Sequence, residues 1–452
     1  MRLSSGTCGG LPAIVDRPDY DRTARGRGIV HFGLGAFTRA HQAAYTDAAM
    51  SEDEGDWLIT GVSMRSQAVA EQMNPQNGLY LIAEQSAAGT RYRLGGAISD
   101  VLAAPGEPQA VIAAIADPGT RIVSFTVTEK GYCRADDGSL DIDHAGKGSF
   151  YPLLAEGLRR RRASGAGGLT LLSCDNLAAN GSVLERMMRE FLAAKQPDLC
   201  DWFETECSCP STMVDRIVPA TTDADRAAAE AATGLRDEAL VVTEPFSQWV
   251  IEDRFANGRP AWEAVGAELV GDVAPYETAK LRMLNGAHSL LAYCGLEAGH
   301  EFVHQAIADP ALRALVETLM QEASATIKAA PGQDLAGYAA LLVERFANPA
   351  LNHRLAQIAM DGSQKIPQRW LETLFAHQQK ARQCPAILRG VAAWIRHLRG
   401  QNGPVDDPMA DRLAAAAGAA DPVAKLFGQG GLIASKWEPS PDDVAVISLQ
   451  FA

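Results

Sequence analysis

The sequence predicts an α/β N-terminal part built on a parallel sheet, followed by a mainly α-helical C-terminal part. Three observations carry this expectation. Short, almost wholly apolar strand-like runs alternate with helical stretches through the first part of the chain. A glycine turn follows the first of those runs directly, and from Ala279 onward the apolar residues recur at helical spacing in long Ala/Leu-rich segments.

Taken in order, a Pro/Arg/Gly-rich arm leads into Gly28-Ile29-Val30-His31-Phe32-Gly33, which reads as a short buried strand. Arg39 to Met50 then places Ala40, Ala43, Ala44 and Ala48 at helix-type spacing, giving strand, glycine turn, helix. Further strands are expected at Trp57-Leu58-Ile59-Thr60-Gly61-Val62, Ile122-Val123-Ser124-Phe125-Thr126-Val127 and Leu169-Thr170-Leu171-Leu172-Ser173, with a helical stretch at Ala110 to Ala116 among the connections. Runs apolar on both faces, separated by helices, imply parallel strands covered on both sides. The four arginines 159–162 end a helical stretch just before Gly165–Gly168, where positive charge suits a helix C-terminus, and they read as a solvated face.

The helical segments of the second part are Lys280–Ala298, Pro310–Ala329, Leu335–Phe346, Cys384–Leu398 and Asp411–Gly418. Gly271, Asp272, Pro275 and Tyr276 interrupt the pattern before the first of them, so two domains are expected, 1–275 and 276–452, as a chain of 452 residues also suggests. Glycines 428, 430 and 431 read as a loop. The last stretch, Asp442 to Ala452, reads as strand-like rather than as a terminal amphipathic helix.

With 55 acidic against 41 basic residues the net charge is −14, which argues against a nucleic-acid partner, since phosphate binding needs a basic face. No apolar leader and no run of about 18 apolar residues is seen, so a cytoplasmic protein with no membrane partner is expected. The eight cysteines are scattered, and the one close pair, Cys207 and Cys209, lacks a second ligand pair for zinc. Free thiols are therefore expected.

Gly33-Leu34-Gly35 lies where the pyrophosphate of a dinucleotide rests in a Rossmann-type domain, because missing side chains let backbone N–H groups approach the phosphates. The third glycine of G-x-G-x-x-G is replaced by Thr38. The cofactor-binding candidates are Gly33, Leu34, Gly35, Ala36, Phe37 and Arg39. After the second strand an acid normally accepts the ribose hydroxyls of NAD, but Val62-Ser63-Met64-Arg65 offers a base that suits a 2′-phosphate or stacks on adenine. NAD and NADP both stay open on these residues.

In the second part, Lys280, Asn285 and His288 fall within three helical turns. At about 100° per residue, with Lys280 at zero, His288 lies near ~80° and Asn285 near ~140°, so the three share one arc. Oxidising a secondary alcohol by hydride transfer needs a base for the hydroxyl proton, which a lysine becomes when burial or a neighbouring cation lowers its pKa. A carboxamide N–H steadies the alkoxide, and a histidine orients the substrate. The scheme needs no metal.

The segment Lys280 to His288 resembles the Lys-x-x-x-x-Asn-x-x-His signature of the polyol-specific long-chain dehydrogenases. Phe32 to Gln42 is similar to that family's cofactor loop, usually with His where Thr38 stands. Thr126-Val127-Thr128-Glu129-Lys130-Gly131-Tyr132, Ser173-Cys174-Asp175-Asn176 and Met213-Val214-Asp215-Arg216-Ile217-Val218-Pro219 follow in the family's order. The resemblance covers about residues 28–430. It implies a Rossmann-type N-terminal domain, a helical C-terminal domain, a site in the cleft between them, NAD as cofactor and no catalytic metal. It also implies Lys280 as general base, Asn176 and Asn285 as an oxyanion hole, and Asp215 near the reacting atoms. Asn176 follows a strand directly and so lies at the carboxyl edge of the sheet, where such folds bind ligands.

Gln357 to Arg369 and Glu244 to Asp253 resemble the fructuronate-reducing branch of the family, and mannitol dehydrogenases tend to carry an arginine where Gln357 stands. This implies reversible reduction of D-fructuronate to D-mannonate, with Lys365 and Arg369 facing the carboxylate of a small uronate substrate. Two other expectations stand beside it: another polyol or uronate substrate of the same family, and a dinucleotide sensor that has lost activity. Lys280, Asn285 and His288 together speak against the sensor, which has no need of a proton-transfer lysine.

Overall fold

The computed structural model describes residues 1–135 and 137–451. The chain divides into two compact units, Met1–Val273 and Ala274–Ala452.

The first unit is built on a five-stranded parallel sheet in the order Ile98–Ala103, Leu58–Ser63, Arg27–Phe32, Ile122–Phe125 and Thr170–Ser173. Every residue of Leu58–Ser63, Ile122–Phe125 and Thr170–Ser173 is buried, as a sheet covered on both faces requires. The chain starts at the centre, moves outward to one edge and then crosses to the other side. The reversal falls between Leu58–Ser63 and Ile122–Phe125, the two neighbours of Arg27–Phe32, and such a point opens a crevice at the carboxyl ends of the strands. Helices Pro108–Ala116 and Tyr151–Ser164 pack against each other, with Ile115 filling the space above Gly157.

Two smaller sheets complete this unit, and sequence patterning did not anticipate them. One runs Val15–Asp16, Gly89–Gly95, Tyr80–Ser86, Val241–Thr243, and the other Glu268–Val270, Gln248–Glu252, Thr212–Asp215. The helix expected over Arg39 to Met50 is two pieces, Ala36–Ala40 and Gln42–Glu52, because His41 leaves helical geometry at φ −118 and ψ −89. The arginine run is not one solvated face. Arg159 and Arg160 pair with Glu156 outside, but Arg161 is fully buried and donates to the carbonyls of Ile115, Asp117, Ala166 and Gly167, closing the end of Pro108–Ala116.

The second unit is helical. Gly286–Glu297 runs through its centre with every residue from Gly286 to Gly295 buried, and Pro310–Ser324, Leu355–Ile358 and Pro385–Leu398 pack around it. Pro385–Leu398 is capped from another helix, since both carboxylate oxygens of Glu322 accept from its first N–H groups, those of Ala386 and Ile387.

The C-terminal stretch corrects the strand expectation. Pro441–Leu449 is a helix, started by a capping box in which Ser440 Oγ accepts from Asp443 N–H and Asp443 returns the bond, with Pro441 in the first turn. Capping chemistry outweighed the strand-like Val444-Ala445-Val446-Ile447 run, and Ile447 is fully buried. Ala452, the end of that expectation, lies outside the described residues. All eight cysteines are free thiols, as expected. Among the described residues no helix is long and apolar enough to cross a membrane.

Candidate active site

Strand Arg27–Phe32 ends at Gly33, whose φ of +87 is open to glycine and whose absent Cβ would lie 2.3 Å from the Thr126 carbonyl oxygen. Gly35 caps helix Ala36–Ala40, and no side chain can enter the turn from Gly33. Backbone N–H groups at such a turn can face a pyrophosphate, so the cradle fits the dinucleotide that the sequence implied.

Thr38, standing where a third glycine is usual, is buried and has a role that glycine could not fill. Its hydroxyl meets His31 Nε2 at 2.8 Å and Thr126 Oγ1 at 2.7 Å, while Thr126 donates to the Gly33 carbonyl at 2.9 Å. His31 Nδ1 meets Ser124 Oγ at 2.8 Å, and burial pushes its pKa down to about 3, so the ring is neutral. The network ties the start of the helix to the ends of two central strands.

Beside the turn is a cavity of about 380 Å³, lined by Gly33 and Leu34, by Ser63, Met64 and Arg65, and by residues 126–128, 130, 131, 133, 144 and 147–150. Two sequence motifs meet at its floor. Asp175, just past strand Thr170–Ser173, accepts from Thr128 N–H at 2.8 Å, Val127 N–H at 3.1 Å and the Tyr132 hydroxyl at 2.9 Å. Burial raises the Asp175 pKa against the pull of these donors. Thr128 has a φ of +64, an uncommon conformation for a β-branched residue, and the Asp175 bonds hold it there.

Of the other candidates in this unit, Asn176 is exposed at the carboxyl end of strand Thr170–Ser173, and Asp215 is buried at the end of strand Thr212–Asp215. Arg216 turns to Glu84 at 2.7 Å. Ala36 and Phe37 lie in the first turn of the helix, and the Phe37 ring stacks on His41. Arg39 does not line the cavity: it is buried, bonded to the Gly35 and Ala239 carbonyls. Sequence reading did not single out Lys130, His144 or Lys147, which do line the cavity. Lys130 was within a quoted motif, but nothing in its spacing marked it.

In the second unit the lysine-bearing segment is not a regular α-helix. Ala274–Ala279 passes into a π-helical turn, Lys280–Asn285, and then into α-helix Gly286–Glu297. The Gly286 N–H bonds the Leu281 carbonyl, five residues back. On α-helical spacing Lys280 and Asn285 would diverge by about 140°. Wider i→i+5 spacing brings residues five apart toward one face, and π turns are frequent at functional sites.

A second π turn, Pro367–Leu371, packs beside the first. From it Arg369 Nη1 donates to the Asn285 carbonyl at 3.3 Å and Ser289 Oγ at 2.8 Å, and Trp370 Nε1 donates to the Gly286 carbonyl at 3.1 Å. Burial pushes the Arg369 pKa down to about 10. The Lys365 ammonium donates to the Met360 carbonyl at 2.5 Å and the Ile358 carbonyl at 3.4 Å, closing the end of Leu355–Ile358, and burial and then Arg369 lower its pKa. His288 is 8% exposed, with its ring against Phe346 and His353. Its Nε2 meets no hydrogen-bond partner among the described residues, and burial followed by His353 holds the ring well below its ordinary pKa. Among the described residues no group of three or more His, Cys, Asp and Glu side chains is placed to hold a metal ion.

Comparison with known proteins matches residues 27–264 to the family described as the mannitol dehydrogenase Rossmann domain and residues 272–431 to the mannitol dehydrogenase C-terminal domain. D-mannonate oxidoreductase of Escherichia coli (strain K12) is 39% identical over 461 residues, covering 97% of this chain and 95% of that protein. Polyol:NADP oxidoreductase of Gluconobacter oxydans (strain 621H) is 39% identical over 409 residues, covering 87% and 84%. The solved ternary complex of Pseudomonas fluorescens mannitol 2-dehydrogenase with NAD and D-mannitol is 36% identical, with a TM-score of 0.83 covering 100% of this chain and 96% of that one.

Proposed function

We propose a reaction from one premise: the chain belongs to the mannitol dehydrogenase family and is an oxidoreductase acting on CH–OH groups. The reaction is the reversible reduction of D-fructuronate to D-mannonate. A nicotinamide dinucleotide, when bound at the glycine turn, supplies or accepts the hydride at the carbinol carbon.

The observation that carries the reading is the π turn Lys280–Asn285 backed by Arg369. In the reducing direction Lys280 gives a proton to the ketone oxygen, and in the oxidising direction it takes the proton from the hydroxyl. The carboxamide N–H groups of Asn285 and Asn176 steady the negative charge that develops on that oxygen. His288, held neutral, orients a substrate hydroxyl without adding charge, and Asp215 is assigned a place near the reacting atoms.

The uronate assignment rests on the cations of the second π turn and on its approach. Lys365 and Arg369 stand four residues apart, and Gln357 occupies a position where mannitol dehydrogenases tend to carry an arginine. A guanidinium has five N–H donors, so with Nη1 engaged by Asn285 and Ser289 the Arg369 fork keeps donors for a carboxylate.

The test is the loss of reduced-dinucleotide absorbance when the protein meets fructuronate, fructose or tagaturonate, with NADH and NADPH as separate arms. Fast oxidation with fructuronate supports the reading, while preference for fructose overturns the uronate assignment and leaves a polyol dehydrogenase. Lys280→Ala should lower turnover by about 10²- to 10⁴-fold with dinucleotide affinity unchanged. Wild-type turnover in that variant sinks the proton-transfer role.

A further inference from the structure

We propose that the cavity beside the glycine turn is built for the 2′-phosphate of NADP(H), and that the protein prefers the phosphorylated dinucleotide. This rests on the reading that the first unit binds a nicotinamide dinucleotide, and it adds which one.

The cavity sits at the carboxyl ends of Arg27–Phe32, Leu58–Ser63 and Ile122–Phe125, so a dinucleotide with its pyrophosphate on Gly33 to Gly35 directs its adenosine ribose toward the end of the second strand. A ribose with a free 2′-hydroxyl is read there by a carboxylate acceptor. Among the described residues none stands there: the strand ends in Ser63, followed by Met64 and Arg65, and no Asp or Glu is among the described residues lining the cavity. The Ser63 hydroxyl is turned away to the Ser66 carbonyl at 2.6 Å. Asp175, the carboxylate that organises the floor, is engaged by two N–H groups and a hydroxyl.

Cations stand in the place of the acid. Arg65, Lys130 and Lys147 line the cavity with His144, and the arginine and both lysines are exposed. Among the described residues none of the three is in an ion pair. That is against the balance of a chain with 55 acids and 41 bases, in which Arg27, Arg91, Arg159, Arg226 and Arg313 all find a carboxylate. A phosphate monoester has about two negative charges and three acceptor oxygens near neutral pH, which a guanidinium can bind with two parallel bonds and lysines can neutralise as point charges. The 2′-hydroxyl of NAD(H) accepts hydrogen bonds but offers those cations no charge to neutralise.

The experiment titrates the full chain with NADPH and NADH by calorimetry, and with the fragments 2′-phospho-AMP and AMP. NADPH should bind about ten-fold or more tightly than NADH, and 2′-phospho-AMP should compete with NADPH where AMP does not. Arg65→Gln, and the double variant Lys130→Gln with Lys147→Gln, should each weaken NADPH more than NADH, so that the ratio of the two dissociation constants collapses toward one. Because all three side chains are exposed and in no ion pair among the described residues, an unchanged circular dichroism melt should accompany the loss. NADH binding as tightly as NADPH, or a ratio that survives all three substitutions, overturns the proposal and leaves dinucleotide binding standing. If Arg65→Gln weakens both dinucleotides equally, the guanidinium stacks on adenine and the 2′-phosphate assignment fails. If neither dinucleotide binds, the underlying dinucleotide reading fails with it.

Discussion

His31 shows how a single buried ring can link stability to pH. Its ring sits among Ser124, Thr126 and Thr38 with a pKa near 3, against about 6.5 for a histidine in the unfolded chain. The folded state therefore refuses a proton that the unfolded state takes. Its contribution to stability is whole above pH 6.5 and is lost as pH falls from 6.5 toward 3, by at most about 1.4 kcal/mol per pH unit. His31→Gln, which cannot titrate, should be destabilised at pH 7.5 through lost hydrogen bonds. Between pH 7.5 and 4.5 the gap to wild type should narrow by about 2 to 3 kcal/mol. Urea unfolding of both proteins at the two pH values reads this directly, and parallel stability curves would show that His31 protonates freely in the folded protein.

At the scale of elements, the last helix carries a full start signal, Ser440 with Pro441 and Asp443, that the apolar run after it masked. Ser440→Ala removes the acceptor for Asp443 N–H and should cost about 1 kcal/mol. The loss should appear as faster amide exchange over Pro441–Leu449, and unaltered exchange there would mean that packing of Ile447 alone holds the helix. The central strands and the glycine turn were legible because each depends on local chemistry: a continuous apolar run, or a backbone angle that only glycine takes easily. Hairpin Tyr80–Ser86 with Gly89–Gly95 was missed because its turn lacks an Asn-Gly or Asp-Gly pair, and Val15–Asp16 and Val241–Thr243 are too short to show a period. The site was legible as residue types and not as geometry. Lys280, Asn285 and His288 fit a 3.6-residue period well enough that nothing in their spacing announced a π turn. The bond that Asp175 accepts from Thr128 N–H spans 47 residues, and the partners of Arg369 are 80 or more away, so neither could be read from neighbouring sequence.

For the whole molecule, the decisive fact is that each hydrophobic core lies within one unit. Among the described residues, the cluster around Leu290, Trp370 and Trp394 contains none before Ala279, and the clusters around Trp249, Phe125 and Leu81 contain none after Val273. Each unit is of domain size and has its own buried apolar surface. A ligand confined to the cavity beside the glycine turn meets a lining of first-unit residues. Adenosine 2′-phosphate compounds are such a ligand, since they lack the nicotinamide end. At a free concentration 100 times its dissociation constant, 2′-phospho-AMP stabilises whatever it binds by about 2.7 kcal/mol. Hydrogen exchange of the intact chain separates the two possible responses. Slow amides of Arg27–Phe32, Leu58–Ser63 and Ile122–Phe125 should gain about 100-fold in protection, while those of Gly286–Glu297 and Pro385–Leu398 stay where they were. Equal gains in both sets would show that the chain opens as one cooperative whole, and no gain in the strands would show that the fragment does not bind the cavity.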